Sequence, residues 1–204
     1  MNTFSVIIPT MWFSSKIIDA IKTFNNSIYV EEIILIDNNT AESIDTSEYD
    51  KVIHIKNNYN LYVNPSWNLG VSLATNDNII ISNDDIIIRN IDRVLSSNEL
   101  VSYELVGLDY KNINKNSEVV FKNVDTDMEK GFGCFMYVNK NAYNIIPDEM
   151  KIWYGDNFLF KSIDRKSIFS CDAIEIEFSK TVKKISDLHS ILNRDKVIFK
   201  SLNL

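Results

Sequence analysis

The stretch NIIISNDDIII, residues 78 to 88, sets three isoleucines, then Ser82-Asn83-Asp84-Asp85, then three more isoleucines. Adjacent carboxylates beside a buried apolar run are costly unless a cation or a set of hydrogen bonds meets them. Two roles fit. Their oxygens could ligate a hard divalent cation, Mg2+ or Mn2+, which in turn bridges a diphosphate. The four residues could instead form a plain polar turn between two strands. Three further polar groups stand in comparable places, Pro9-Thr10, Asp37-Asn38 and Asn57-Asn58, each directly after an apolar run. Other phosphate holders are missing from the sequence. It has no GxxxxGK followed by Ser or Thr, and Gly131-Phe132-Gly133 neither opens a helix nor continues as GxGxxG.

The elements that position these groups follow an α/β pattern. FSVIIP is a continuous apolar run, as in a strand buried on both faces. SSKIIDAIKTF carries Ile17, Ile21 and Phe24 on one helical face, with Ser14 and Ser15 as caps. EEIILIDNN and VIHIK predict two more strands. Asn64-Pro65 predicts a helix start, with Asn64 as N-cap and Pro65 in the first helical position, and PSWNLGVSLAT leads into the strand NIIIS. Strand, helix, strand, strand, helix, strand implies a mostly parallel sheet with helices on its faces. In such sheets ligands gather beyond the carboxyl ends of the strands, and all four polar groups fall there.

The second half is less regular. LVSYELVGLDY and SEVVFKNV read as strands paired antiparallel, GFGCFMYVN as a strand with two glycines at its entrance, and KNAYNIIP as a short helix closed by Pro147. WYGDNFLFKSI reads as a loop entering a helix, SIFSCDAIEIEF as a long β segment, and Ser186 to Leu204 as a helical tail. No repeat or linker divides the chain.

Apolar residues at 45% and charged residues at 24% fit a soluble globular protein. A formal charge of −7 argues against a nucleic-acid partner, which calls for a basic face. Cys134 and Cys171 form no CxxC pair and read as buried thiols in a reducing cytosol. The start MNTFSVIIPT has no basic region before its short apolar run, and no stretch approaches the roughly 20 apolar residues of a membrane span. A cytoplasmic location is therefore expected.

At this point the residues resemble a known family. SVIIPT, EEIILIDNN, a helix with WNLG, and IIISNDD are similar, in that order, to the nucleotide-sugar half of family 2-type, GT-A fold glycosyltransferases. The family pattern is a first strand ending in Pro-Thr, a second ending in an acid, an R/W-N-x-G helix, and a strand ending in a DxD-type motif. GFGCFMYVNKNAY resembles the family's acceptor-side strand and helix, and IPDEMKIWYGDNFLF its FDE…(E/G)D…L segment; the matches span about residues 3 to 165. The resemblance implies a single α/β GT-A (Rossmann-like) domain over residues 1–204, with a mostly parallel central sheet, helices on both faces and a small antiparallel acceptor-side subsheet. Residues 1–85 would form the nucleotide-sugar-binding half and residues 86–204 the acceptor and catalytic half.

Position by position, the resemblance implies that Pro9, Thr10 and Met11 lie along the uridine and that Asp37 accepts from the base or ribose. Asn60, Asn64 and Asn68 would flank the nucleotide, and Asn64 could cap its helix as well. Trp67 stands where many relatives carry Arg, and a core aromatic is the other reading. In the DxD-like motif, Asn83 supplies an oxygen without a charge, Asp84 would face the ribose or donor sugar, and Asp85 would ligate Mn2+ or Mg2+. His189 in DLHSIL could complete the metal shell, whereas His54, inside a strand, reads as structural. Asp156 would be the base for an acceptor hydroxyl, and a helix N-cap is its other reading. Gly133 and Gly155 would let backbone approach the acceptor or sugar, with Trp153 and Tyr154 offering stacking faces. Lys180, Lys183 and Lys184 suit a solvated face, a lid over phosphates, or peripheral contact with a membrane.

The activity so implied is metal-dependent, inverting transfer of a sugar from a nucleotide-diphosphate donor, UDP-linked, to a hydroxyl of a glycan or glycoconjugate. Two rivals stand beside it: a catalytically inactive GT-A domain that binds carbohydrate or nucleotide sugar, and a sugar nucleotidyltransferase. The second wants a Gly-rich, basic loop after the first strand, which PTMWFSSK does not supply.

Overall fold

Apolar runs that cannot face water on either side dictate the centre of the molecule. Those runs become β1 (Phe4–Thr10), β2 (Val30–Asp37) and β4 (Asn78–Ser82), with the half-exposed β3 (Val52–Lys56) at the sheet edge and α1 (Ile17–Asn26) and α2 (Val63–Leu73) between them. The remainder forms β5 (Ile86–Ile88), α3 (Ile91–Leu95), β6 (Leu105–Leu108), β7 (Val120–Asn123), β8 (Phe135–Asn139), α4 (Gly155–Ser162), β9 (Lys166–Ser170), β10 (Ile174–Ile176) and α5 (Leu188–Ser201). The computed structural model describes all residues except 40, 42, 114, 125–127, 129 and 177–186. Lys180, Lys183 and Lys184 lie outside the described residues.

Eight strands make one sheet in the order β3-β2-β1-β4-β8-β6-β9-β7. The first four run parallel. Beyond them β8 lies antiparallel to both β4 and β6, β9 runs parallel to β6, and β7 closes the edge antiparallel to β9. Alternation along β1 feeds two cores. Val6 and Ile8 pack with α1 and α3 on one face, while Ile7 packs with Trp67 and Val71 of α2 and with Phe158 and Leu159 of α4 on the other. Ile198, Phe199 and Leu202 bring α5 against that second core. No described helix is long and apolar enough to cross a membrane.

The α/β architecture matches the sequence reading, and several local expectations do not. β6 and β7 are not paired with each other; both flank β9, because the later β segment inserts between them. That segment is also broken at Cys171-Asp172, so β10 leaves the main sheet and pairs antiparallel with β5. KNAYNIIP forms only a 3-10 turn at Lys140–Ala142. The chain after it cannot coil further, because both the N–H and the C=O of Ile146 are taken by the Asn68 side chain. α1 has no side-chain cap at its start; Ser14 Oγ instead accepts from the Lys16 N–H at 3.1 Å, one turn earlier. α2 begins at Val63, after Tyr62 at φ 67°, so Asn64 lies inside the helix and is not its cap.

Helix α2 reaches the sheet through Gly70, where a Cβ would lie 2.4 Å from Ile7 Cγ2. Gly70→Ala gains about 1 kcal/mol of helix propensity and meets an overpacking cost of about 1–3 kcal/mol. A lowered denaturant midpoint with an unchanged m-value is expected. A midpoint at or above that of the parent would show that this contact does not seat the helix.

Candidate active site

The four parallel strands bring their carboxyl ends to one edge, where Thr10 pairs with Asp37 and Asp37 with Lys56 across the sheet. β4 stops at Ser82, and Asn83-Asp84-Asp85 turns the chain into β5. The segment is thus a turn in backbone form, yet its groups are fixed from outside. The Asn83 N–H donates to the Cys134 carbonyl at 2.9 Å. Thr10 Oγ1 donates to Asp84 Oδ2 at 2.7 Å and accepts from the Trp12 N–H at 2.9 Å. Burial, reinforced by the neighbouring Asp85 charge, pushes the Asp84 carboxyl up to about 6, against the pull of hydrogen bonds from Thr10 and the Met11 backbone.

Asp156 enters the same corner from α4. It is the second residue of that helix, after Tyr154 at φ 64°, so it is not the N-cap. Its Oδ1 accepts from the Asn157 N–H at 2.9 Å. A Cβ on Gly133 would lie 2.7 Å from Asp156 Oδ2, so glycine is what allows the carboxylate to rest on that backbone. Burial raises the Asp156 carboxyl above the ordinary carboxylate range, more than the backbone N–H groups around it, Gly133 included, lower it. Cys134 joins the two acids. Its thiol is pushed up to about 12 by burial and then by the charges of Asp85 and Asp156, both of which lie near it. The turn after β4 and the start of α4 thus approach each other across Gly133-Cys134, where the sequence reading saw only an inert thiol.

Other expected site residues carry structural loads. Asp37 is fully buried, and its oxygens accept from the Asn39 N–H at 2.9 Å, Ser43 Oγ at 2.8 Å and His54 Nε2 at 3.1 Å. Burial pushes its carboxyl up, but the nearby Trp12 indole and hydrogen bonds from Ser43, Asn39 and His54 together hold it below the ordinary range. A nucleotide reaching Asp37 would have to displace the Ser43 and His54 contacts. His54 is thus the partner of that acid as well as a strand residue. Asn60 Nδ2 lies 3.6 Å from the Met11 sulfur, and its Oδ1 accepts from the Tyr62 N–H at 2.7 Å. Asn64 is buried and donates to the Met150 and Trp153 carbonyls, each at 3.1 Å. Asn68 holds Ile146 and accepts from the Tyr143 hydroxyl at 2.9 Å. Trp67 is 4% exposed and belongs to the second core, the aromatic of the two readings.

On the acceptor side, Trp153 is half-buried, and the Tyr154 ring stacks on Phe199 at 5.1 Å instead of standing free. Gly155 is pressed against α2, where a Cβ would lie 2.1 Å from Asn64 Oδ1. Pro9 and Met11 are half-buried at the end of β1. His189 is exposed in the first turn of α5. Among the described residues no three His, Cys, Asp or Glu side chains form a cluster that could hold a metal ion. Trp12, Tyr62 and Tyr154, the aromatics leading out of β1 and into α2 and α4, all adopt positive φ of 60° to 67°. Such backbone is unfavourable for large side chains and persists where surrounding contacts fix it.

Asn38 was not singled out by the sequence, although it lies in one of the strand-end groups. It donates to Ser66 Oγ at 2.9 Å and accepts from Asn57 Nδ2 at 3.0 Å and the Leu61 N–H at 3.2 Å, tying β2, the 57–62 loop and α2 together. A cavity of about 600 Å3 lies outside this junction, bounded by Asn57, Tyr59, Asn60, Asn68 and Asp148. A second, of about 720 Å3, lies between Ser43, Thr46, His54 and Lys56.

No protein-family model and no curated protein matches this chain. Solved structures do. S. aureus TarS 1-349 in complex with UDP-GlcNAc superposes with a TM-score of 0.62 at 12% identity, over 96% of this chain and 66% of that one. The same protein in complex with UDP gives 0.60 at 13%, over 96% and 64%. HddC from Yersinia pseudotuberculosis gives 0.59 at 14% identity, over 96% of this chain and 100% of that one. The chain spans 39% of the longer TarS chain and 60% to 66% of TarS 1-349. The GT-A-like α/β fold expected from the sequence is therefore the fold observed.

The Asp84 carboxyl gives up its proton near 6 in the folded chain, against an ordinary 3.8. Its contribution to stability is therefore full below pH 4 or so and lost as pH rises through about 6. In chelator-treated buffer, Asp84→Asn should be more stable than the parent at pH 7.5 by up to about 3 kcal/mol, roughly 9 °C in Tm. At pH 4 the two should coincide. An equal difference at both pH values would mean that the carboxylate charge carries no such cost.

Proposed function

We propose that this chain is a metal-dependent glycosyltransferase that moves a sugar, with inversion, from a UDP-linked donor to a hydroxyl of a glycan or glycoconjugate. The observation that carries the reading is that the Asn83-Asp84-Asp85 turn, tied to the Cys134 carbonyl and to Thr10, and Asp156, resting on Gly133, converge on the Gly133-Cys134 backbone at the carboxyl edge of the parallel strands. Strand ends of this kind are where α/β sheets bind ligands. The complexes of TarS with UDP and UDP-GlcNAc support a nucleotide sugar as donor.

Three roles follow for residues of this chain. Asp156 takes the proton of the acceptor hydroxyl as its oxygen attacks the anomeric carbon; the bond to the diphosphate breaks, and the electron pair leaves with UDP. A carboxyl raised by burial is a better match to that task than an ordinary one, since proton transfer is most effective when the base titrates nearer the working pH. Thr10 and Asp84, joined to each other, would hold the nucleoside side of the donor, with Pro9 and Met11 beside them. Asp85 would bind Mn2+ or Mg2+, for which adjacent carboxylates in an acidic, half-buried corner are a suitable oxygen donor set. That cation, when bound, would neutralise the charge of the leaving diphosphate. His189, exposed on α5, would have to approach to share it. Gly133 and Gly155 admit the Asp156 and Asn64 side chains and so leave no open face for an acceptor, whereas Trp153 would offer the sugar a face.

Isothermal titration with UDP, with and without Mn2+, tests the reading. Mn2+ should tighten UDP binding at least about tenfold, some 1.4 kcal/mol, and Asp85→Ala should abolish that gain. Asp156→Asn should leave UDP binding within about twofold while donor turnover, screened over UDP-, GDP- and TDP-sugars, falls about 10²–10⁴-fold. UDP binding indifferent to Mn2+, or full turnover by Asp156→Asn, would sink the proposal. Metal-enhanced UDP binding without turnover of any donor would favour the binding-module rival.

A further inference from the structure

The segment that delivers Asp156 to the site is gripped from two sides. From α2, Asn64 Nδ2 reaches the Met150 and Trp153 carbonyls, and the N–H groups of Val63 and Asn64 meet the Lys151 carbonyl at 2.9 and 3.0 Å. From α5, a single carboxylate takes the opposite row of groups. Asp195 Oδ1 accepts from the Lys151 N–H at 3.1 Å, and Oδ2 accepts from Ile152 at 2.9 Å and Trp153 at 3.0 Å. The Asp195 side chain is fully buried, and Arg194 Nε stands 3.7 Å from it, too long for a hydrogen bond. Three successive peptide N–H groups therefore compensate most of the cost of burying this charge, which would otherwise be several kcal/mol. One turn along α5, Phe199 stacks on Tyr154. The same helix face thus holds residues 151 to 154, and the chain then turns at Tyr154 into Gly155 and Asp156.

We infer that Asp195 is a positioning residue, which fixes the 151–153 peptide groups and through them the seat of Asp156 against Gly133. The inference rests on the proposed role of Asp156. Its physical basis is that a shift of about 1 Å in a reacting group can cost on the order of a hundredfold in rate, and nothing between Trp153 and Asp156 could absorb such a shift. Tyr154 is already at positive φ, and Gly155 lies against Asn64. An acid held only to dock α5 would have no need of three adjacent donors in the segment that carries the base.

The test compares Asp195→Asn with Leu202→Ala, which loosens the far end of α5 from the second core without touching the carboxylate or the Tyr154 stack. Asp195→Asn should speed hydrogen exchange at the Lys151, Ile152 and Trp153 amides at least about tenfold, shift the Gly133 and Asn157 amide resonances, and lower donor turnover 10- to 100-fold. UDP–Mn2+ affinity should stay within about twofold. Leu202→Ala should lower thermal stability while leaving those three amides protected and turnover within about threefold. Equal effects of the two variants, unchanged exchange at 151–153, or full turnover despite accelerated exchange would each overturn the inference. If Asp195→Asn does not fold, exchange in the parent chain decides. The three amides should then open as one unit, and opening one at a time would overturn the grip. If the parent turns over no donor, the glycosyltransferase reading fails, and the exchange and Gly133 and Asn157 resonances alone decide whether Asp195 sets the Asp156 seat.

Discussion

A threonine hydroxyl at the end of β1 reaches across 74 residues to Asp84, the first acid of the turn after β4. That contact locks the two neighbouring parallel strands at their carboxyl ends and decides where Asp85 must fall. The turn is pinned a second time by the Cys134 carbonyl, which ties it to the entrance of β8. One residue back from Cys134, Gly133 leaves room for Asp156. A chain of short contacts thus runs from β1 through β4 and β8 to α4. Gathering acids here costs free energy, as the raised Asp84 and Asp156 carboxyls record. A fold that tolerates this at one edge gains a place where a cation and a base can act on the same ligand.

Amides do much of the remaining positioning. Asn38, Asn64 and Asn68 each connect segments that are far apart in sequence, and Asn68 takes both the N–H and the C=O of Ile146. An amide suits irregular backbone because it can donate and accept at once, leaving no buried peptide group unmet. The carboxylates Asp37 and Asp195 act in the same way on rows of donors, and both are fully buried. Side-chain chemistry that looks like ligand recognition in the sequence is largely spent on fixing loops.

That division explains what the sequence could reveal. Strands β1, β2 and β4 were legible because continuous apolar runs buried on both faces have few other solutions, β3 because VIHIK alternates at the sheet edge, and their polar ends marked the site edge. The pairing of β6 and β7 through β9 was not legible, since partner choice depends on a strand some 45 residues downstream. Asn64 had the local pattern of a cap, but its contacts with residues 150 and 153 place it inside the helix. Tyr154 looked like a free stacking face until Phe199 of α5 covered it. Asp195, in NRDK on a polar-looking helix, carries no local signal at all; only its contacts with Lys151, Ile152 and Trp153 reveal it. Asp85 and Asp156 were each legible as acids in motifs, whereas the approach of their two segments across Gly133-Cys134 is a property of the fold.

The central claim is that a cation and a nucleotide meet at the Asp85 turn. Paramagnetic broadening of backbone amide resonances by Mn2+, recorded with UDP present, tests it most directly. The amides of Thr10, Met11, Asp84, Asp85 and Cys134 should broaden first, with those of residues 43 to 50 and of β7 spared. Broadening centred on the cavity beside His54, or spread evenly over the acidic surface, would contradict the account.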